Sequence, residues 1–528
     1  MTTTTDVLVV GGGGSGLSAA ISAATSGATS LVLEKCPVVG GSTGRSVGSF
    51  TAANTAYQYR AGVNDSIELF IEDMKTANGD DEARENVALR RVFAENAGTT
   101  LEWLSSIGVQ FLGPTPEPPF EKPRMHNVLP NSGAYITALS REARKRGVRV
   151  VTDARVERLL RNADGEVIGA RAGGEDYLGR RAVILASGDY SAATDMKAAF
   201  VGEAAAKVQA VNPNSTGDGF RLGNDVGGTM LQMDRLYEGL RFLPGKMPDP
   251  IKLLPATPAV SRAVRFLSER LPKNLLAVLL RGALTSWVGP SNDLYRAGGI
   301  CVNEKGVRVA NEDSEKLLAR GVAADSNRGW MVFDETVAQR FSAWPHPVTT
   351  FPGVAYAYVQ DFARYRPDTF FKADTLEELA TKAGIDPAAL RGTVERFRQH
   401  AAAGHDPDFG RTEFGTGIGA GPYYALGPMQ SYITLADGGL AVDTDLRVTA
   451  EDGTPIPGLY AAGSTGQGGL QLLNHGLHIG WAMVSGRIAG RNAATAPVRT
   501  DLRFVGSTAS VLNTPVEELN VASRRPVS

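Results

Sequence analysis

The chain has 528 residues, 43% hydrophobic and 21% charged, with 61 glycines; it is too apolar for disorder and too long for one ordinary core. Lys and Arg total 54 against 56 Asp and Glu, a formal net charge of −2, which excludes nucleic-acid binding by bulk electrostatics. Two cysteines without a CxxC exclude a redox dithiol, an iron–sulfur cluster and a c-type haem, and no window reaches the roughly 18 consecutive apolar residues of a membrane span.

The N-terminus "MTTTTDVLVV" enters an apolar run with no basic n-region, so the expected compartment is the cytoplasm. The first predicted unit is "DVLVVGGGGSGLSAAISAATSGATSLVLEK": a short buried strand over 7–10, a glycine turn, a small-residue helix over 17–26 and a second strand over 30–33. Gly11, Gly13 and Gly16 fall on GxGxxG, and Glu34 follows 18 residues past Gly16. The first glycine permits the turn, the second admits a pyrophosphate to the backbone, and the third lets helix and strand pack closely. Glu34 is placed to bind an adenosine ribose and to disfavour a 2′-phosphate. Strand, helix, second strand and acid in register predict a dinucleotide site. A similar spacing at "GTGIGAGP", residues 415–422, has no apolar strand before it and reads as a loop, so no second nucleotide site is expected.

After Lys35 comes "CPVVGGSTGRSVGSF", a glycine-rich loop whose hydroxyls face the pyrophosphate from the other side. Here the sequence resembles the flavoprotein family of soluble fumarate reductases, 3-ketosteroid dehydrogenases and succinate dehydrogenase flavoprotein subunits. "RAVILASGDY", "NSTGDGFRLGNDVGG", "GGICVNEKGVRVANED" and "TPIPGLYAAGS" follow in the family's order, between residues 6 and about 495. The resemblance implies an α/β fold: a Rossmann-type, glutathione-reductase-like FAD domain, discontinuous in sequence, with an α+β cap that closes over the flavin. It places the first part of the FAD domain at 1–238, the cap or substrate domain at 239–432, the second part at 433–495 and a tail at 496–528. The implied cofactor contacts in the first part are Gly11, Gly13, Gly14, Ser15, Gly16, Glu34, Lys35, Gly41, Ser42 and Thr43. Val156, Ala186, Gly188 and Asp218 follow, and the closing segment adds Gly463, His478 and Ile479. Members that attach the flavin covalently do so through a histidine where this chain has Ser42, so non-covalent FAD is expected. No metal site is expected.

Helix punctuation inside the cap is clear: Asp374 or Thr375 caps "LEELATKAG", and Asp386 followed by Pro387 starts "AALRGTVERFRQHAAAG". Residues 246–288 combine apolar runs with seven Lys/Arg against two acids. They read either as a weak membrane-surface or lipophilic-substrate entrance or as a cap insertion with solvated charges, the second being favoured.

The closing stretch "GGLQLLNHGLHIG", 468–480, bears on the substrate. Fumarate-type members hold carboxylates with arginines, whose planar guanidinium suits them; the resemblance puts Asn474 and Ala338 at those positions. Their His-Thr-x-Gly-Gly becomes Leu435, Ala436, Asp437, Gly438 and Gly439, without the histidine. The ketosteroid members offer a tyrosine hydroxyl and a glycine amide to a carbonyl; these positions are Leu472 and Gly476, while their proton-abstracting cap tyrosine aligns near Lys316. The expected carbonyl partners are therefore His475, with Asn474, beside Gly476 N–H. For the α-proton the candidates are Tyr135, Tyr295, Tyr356, Tyr358 and His346, with Tyr356 and Tyr358 ranked first on strand spacing. Arg124 and His126 either line the cavity or bond their own loop. The leading expectation is an FAD-dependent α,β-dehydrogenase (desaturase) of a cyclic ketone, alicyclic or steroid-like, with hydride passing to flavin N5. The alternatives are an ene-reductase of an activated alkene and a flavoprotein with a relay or binding role. The partners expected are a small ketone or enone and an external electron acceptor: oxygen, a quinone or a carrier.

Overall fold

Residues 2–245, 250–287 and 289–522 are described by a computed structural model. Of the basic apolar segment 246–288, residues 246–249 and 288 lie outside the described residues. The N-terminal apolar run forms β1 (Thr2–Val10), which leads through the glycine turn into α1 (Gly14–Thr25) and β2 (Ser30–Leu33). A helix α2 (Gly133–Lys145) returns the chain to β3 (Arg149–Val151). The antiparallel run β4 (Val156–Arg161), β5 (Val167–Ala172) and β6 (Glu175–Leu185) follows.

Parallel pairing puts β1 between β2 and β6, and β3 lies beyond β2. On the other flank β6 pairs in parallel with β13 (Pro455–Ala461), which pairs with the short β12 (Arg447–Thr449). Central parallel strands are covered on both faces, which is why Val7–Val10 is a continuous apolar run rather than an alternating one. One cover is α1, crossed by the last long helix, α6 (Leu477–Thr495). The crossing is close because α6 places glycines there. A Cβ on Gly486 would come 2.3 Å from Ser15 O, and one on Gly490 2.1 Å from Ala19 O.

The second sheet belongs to the cap. Its long strand β11 (Tyr423–Ala436) pairs with β7 (Leu236–Phe242), β9 (Gly329–Asp334) and β10 (Phe370–Ala373), and β8 (Ile300–Val302) extends it beyond β9. The expected boundaries at 238/239 and 432/433 thus fall inside β7 and β11. A two-residue strand, Gln209–Ala210, joins the cap sheet from the earlier part of the chain. One face of the sheet buries Leu240, Phe242, Met331, Phe333 and Met429 against α5 (Glu315–Ala324), which contributes Leu318 and Val322. The other carries the helices 376–383 and 387–403 over Val302, Val332 and Ala425. Thr375 accepts from Glu378 N, and Asp386 caps the second helix with Pro387 at its first turn. The segment 415–422 is a loop.

The described part of the segment 246–288 holds a short helix, Pro250–Leu253, and two longer ones, α3 (Pro258–Arg270) and α4 (Lys273–Trp287). Phe266 and Leu267 are exposed on α3, Leu275 and Val278 on α4. Among the described residues no helix is long and apolar enough to cross a membrane. The tail lies along the flavin domain through backbone bonds from Val505 to Arg161, from Val511 to Glu157 and between Met230 and Asn520.

Candidate functional site

The cofactor half is built where β1, β2 and β6 end. Gly11 has φ +107°, and a Cβ there would meet Ala186 O at 2.4 Å; one on Gly16 would meet Gly11 O at 1.8 Å. These two glycines are packing requirements. Gly13 differs: nothing lies within 4 Å of its Cβ position, because that flank opens on a cavity of about 470 Å³. The hydroxyl-rich loop closes over the turn through Gly40 N to Gly12 O at 2.9 Å and Gly14 N to Thr43 Oγ1 at 3.3 Å. Glu34 accepts from Gly12 N at 2.7 Å and from Cys36 N at 2.8 Å, which orients its carboxylate at the cavity wall.

Of the expected contacts, Gly11, Gly13, Gly14, Ser15, Glu34 and Lys35 line this cavity. So do Gly41, Ser42, Thr43, Val156, Ala186, Gly188 and Asp218. Lys35 and Asp218 pair with each other at 3.1 Å, and Arg155 holds Asp218 from the other side. Burial pushes the Asp218 carboxyl up, but Arg155, Lys35 and Thr216 outweigh it and hold the group below the usual range. Gly463 sits behind the wall: its N–H donates to Ser485 Oγ at 2.8 Å and its Cβ position is 2.7 Å from Ser15 Oγ. His478 and Ile479 belong to the first turn of α6, outside the cavity lining. Asn212 bonds Ser42 at 2.9 Å and lines the cavity; no local pattern in the sequence marks it. An open glycine flank, an acid at the ribose position and a ring of hydroxyls and amides at strand C-termini fit FAD.

The second half lies where the turn before α6 meets Glu117, with the cap residues Arg241 and Glu315 close enough to act on it by charge. Gly476 precedes α6 with φ +82° and ψ −14°. A Cβ there would be 2.5 Å from Thr51 Oγ1 and 2.7 Å from Thr51 N, so only glycine fits. Thr51 Oγ1 donates to His475 O at 2.7 Å and its N–H to Gly476 O at 3.3 Å, pinning the turn. His475 Nδ1 is hydrogen-bonded to the Glu117 carboxylate. The imidazole keeps 75% of its side-chain surface accessible, yet protein surrounds it closely enough for desolvation to oppose its charge. The Glu117 hydrogen bond outweighs that and raises the His475 pKa above its ordinary value. Two further charges act on His475, Arg241 from β7 and Glu315 from the first turn of α5. Burial pushes the Glu315 carboxyl up. Asn474 Nδ2 is buried and has no hydrogen-bond partner among the described residues.

His478 stands deeper, its ring edge-on to Tyr237 at 6.2 Å and its Nε2 3.3 Å from Asp437 Oδ1, off hydrogen-bond alignment. Asp437 is fully buried and accepts from Tyr237 Oη at 2.6 Å and Gln467 Nε2 at 2.5 Å. Burial raises its pKa, but His478, Tyr237 and Gln467 outweigh this and hold the carboxyl below its usual range.

Other candidates lie elsewhere. Tyr135 is buried with its hydroxyl on Gly48 O at 2.9 Å, and Tyr295 is buried in the cap core. Tyr356 accepts from Gly353 N at 3.1 Å and packs on Trp344 at 4.9 Å. Tyr358 caps the helix 359–365, its backbone N–H donating to Asp361 at 2.9 Å; the strand on which the pair was aligned ends at Ala357. His346 packs on Phe341. Arg124 and His126 are fully buried. Arg124 pairs with Asp65 at 2.7 Å and with Asp73, and His126 bonds Thr55 Oγ1 at 2.9 Å; burial pushes the His126 imidazole down to about 4. Neither bonds within its own loop: Arg124 ties the segment to Asp65 and to the helix Ile67–Asn78, and His126 ties it to Thr55. Among the described residues His400, Asp406 and Asp408 come together, but Arg308 lies 2.9 Å from Asp406 and Arg396 3.7 Å from Asp408, so arginines already serve those carboxylates.

Residues 6–477 match the model of the FAD binding domain family. The chain belongs to that family and is an FAD-dependent oxidoreductase acting on CH–CH groups. It is 28% identical over 508 residues to "Probable fumarate reductase Ifc3" of Shewanella frigidimarina, covering 93% of this chain and 75% of that protein. It is 31% identical over 413 residues to "4-oxocyclohex-2-ene-1-carboxylate 5-dehydrogenase" of Sinomonas cyclohexanicum, covering 72% of this chain and 62% of that one. Among solved structures, an open flavocytochrome c3 fumarate reductase superposes with a TM-score of 0.69 at 25% identity, covering 93% of this chain and 78% of that chain.

Proposed function

We propose that the protein removes a hydride and an α-proton from a cyclic ketone, forming the α,β-unsaturated ketone. FAD, when bound, supplies the hydride acceptor. The observation that carries the reading is the His475–Glu117 pair, set beside the helix start at Gly476. With Nδ1 engaged by Glu117, protonated His475 offers Nε2–H to a carbonyl oxygen, and the carboxylate balances the charge. A donor held in place in this way stabilises the enolate that develops as the α-proton leaves. Glu315, whose charge acts on His475, is the proposed acceptor of that proton in place of Tyr356 and Tyr358. Non-ligand positions point the same way: Asn474 and Ala338 stand where dicarboxylate enzymes carry arginines, and Ala338 is buried in the cap core. The alicyclic keto-acid dehydrogenase among the relatives has a substrate of this kind by name. Electrons then leave to oxygen, a quinone or a carrier.

The second reading, reduction of an activated alkene, is favoured by the reductase relatives. Anaerobic mixing of the oxidised holoenzyme with cyclic ketones separates the two. Bleaching of the flavin band is the expected result. If no ketone bleaches it while chemically reduced enzyme is reoxidised by an unsaturated acid, the second reading holds.

A further inference from the structure

Along β7 the residues alternate, Leu236, Glu238, Leu240 and Phe242 buried and Tyr237, Gly239 and Arg241 half-buried. The half-buried positions share one face: Tyr237 meets His478, and a Cβ on Gly239 would come 2.8 Å from Glu315 Oε1. Arg241 is two residues further along the same strand, with Gln430 opposite it and Tyr432 opposite Gly239 on β11. Its guanidinium makes no hydrogen bond or ion pair with any described residue, and burial depresses its pKa, with only the Tyr432 hydroxyl opposing. By contrast, the arginines Arg235 and Arg320 near this sheet each have a carboxylate, on Asp81 and Glu238. A half-buried guanidinium whose charge burial disfavours, with no anion among the described residues, is a place where a ligand can supply one.

We propose that Arg241 is the anchor for a carboxylate on the substrate, so that the ring ketone meets His475 while the acid end is held by the cap. This rests on the ketone reading given above and makes the substrate an oxo acid rather than a neutral ketone. Arginine is suited to the role because its fork pairs two donors with the two carboxylate oxygens. The anchor lies on a strand of the cap, at a different place from Asn474 and Ala338.

The test uses purified holoenzyme and two readouts. In the first, the flavin absorbance spectrum is titrated with cyclohexanecarboxylate, which has no ketone to oxidise, and with cyclohexanecarboxamide. The acid is expected to perturb the flavin of the native enzyme, the amide not to. In Arg241→Gln, the acid should bind at least about tenfold more weakly, with Arg241→Lys between the two and unchanged flavin content in both. In the second, anaerobic flavin reduction by 4-oxocyclohexanecarboxylate is compared with reduction by cyclohexanone. Arg241→Gln should lower the ratio of the acid's rate at limiting substrate to that of cyclohexanone by a similar factor. Equal binding of acid and amide, or an equal loss for both ketones, overturns the anchor. Tight acid binding lost in Arg241→Gln, with no ketone bleaching the flavin, would keep the anchor and overturn the ketone reading instead.

Discussion

His475 shows how much one residue depends on its neighbour. Its Nδ1 is committed to Glu117, so its useful proton is the one on Nε2, present only in the imidazolium. The Glu117 hydrogen bond raises the folded-state pKa above the ordinary value of about 6.5. The donor is therefore fully present below that value and is lost as pH rises through the raised pKa. Flavin reduction by the ketone should accordingly fall on the alkaline side. In Glu117→Gln the fall should move to lower pH, and in His475→Gln the rate should drop about 10²–10³-fold with the alkaline limb gone. Stopped-flow reduction rates against pH check this; an unshifted limb in Glu117→Gln would mean that Glu117 does not set the donor. The same pair has a stability counterpart of the same sign: what the bond contributes to the folded state is lost as pH rises past the raised pKa.

At the scale of elements, the loop before the strand Met125–Leu129 is held by Arg124, which joins Asp65 to Asp73 on the helix Ile67–Asn78 and lies 5.0 Å from the centre of the Phe70 ring. All three groups are largely withdrawn from water. Arg124→Met should cost about 3–5 kcal/mol of stability, because it leaves two carboxylates without their cation. Chemical denaturation of the holoenzyme checks the value; Arg124→Met with Asp65→Asn and Asp73→Asn should recover part of it. Elements with local signatures were readable from sequence. The β–turn–α–β unit appears where GxGxxG and Glu34 put it, and the capped helices at 376 and 387 begin where Thr375 and Asp386 mark them. What was not readable was the end of a strand. The spacing of Tyr356 and Tyr358 suggested one extended face, but the ladder stops at Ala357 and the next residue opens a helix.

At the scale of the molecule, the flavin domain is assembled from both ends of the chain, α1 crossing α6 and β6 pairing β13, with the cap inserted between. Ser42 lines the cofactor cavity, at the position where the resemblance puts the histidine of covalent members, so non-covalent binding is the prediction. Unfolding the protein in acid or guanidinium should release all of the flavin into an ultrafiltrate, and absorbance of the retained protein checks it; flavin that stays with the denatured chain would reveal a covalent link elsewhere. The sequence by itself determined the dinucleotide unit, the order of family segments and the glycine frame at 468–480, because these depend on residues near one another along the chain. Only the tertiary structure decided the company His475 keeps. Glu117 is 358 residues away in sequence, and Arg241 and Glu315 act on it from a cap strand and a cap helix. Their meeting is set by strand register and domain packing, which no local period encodes.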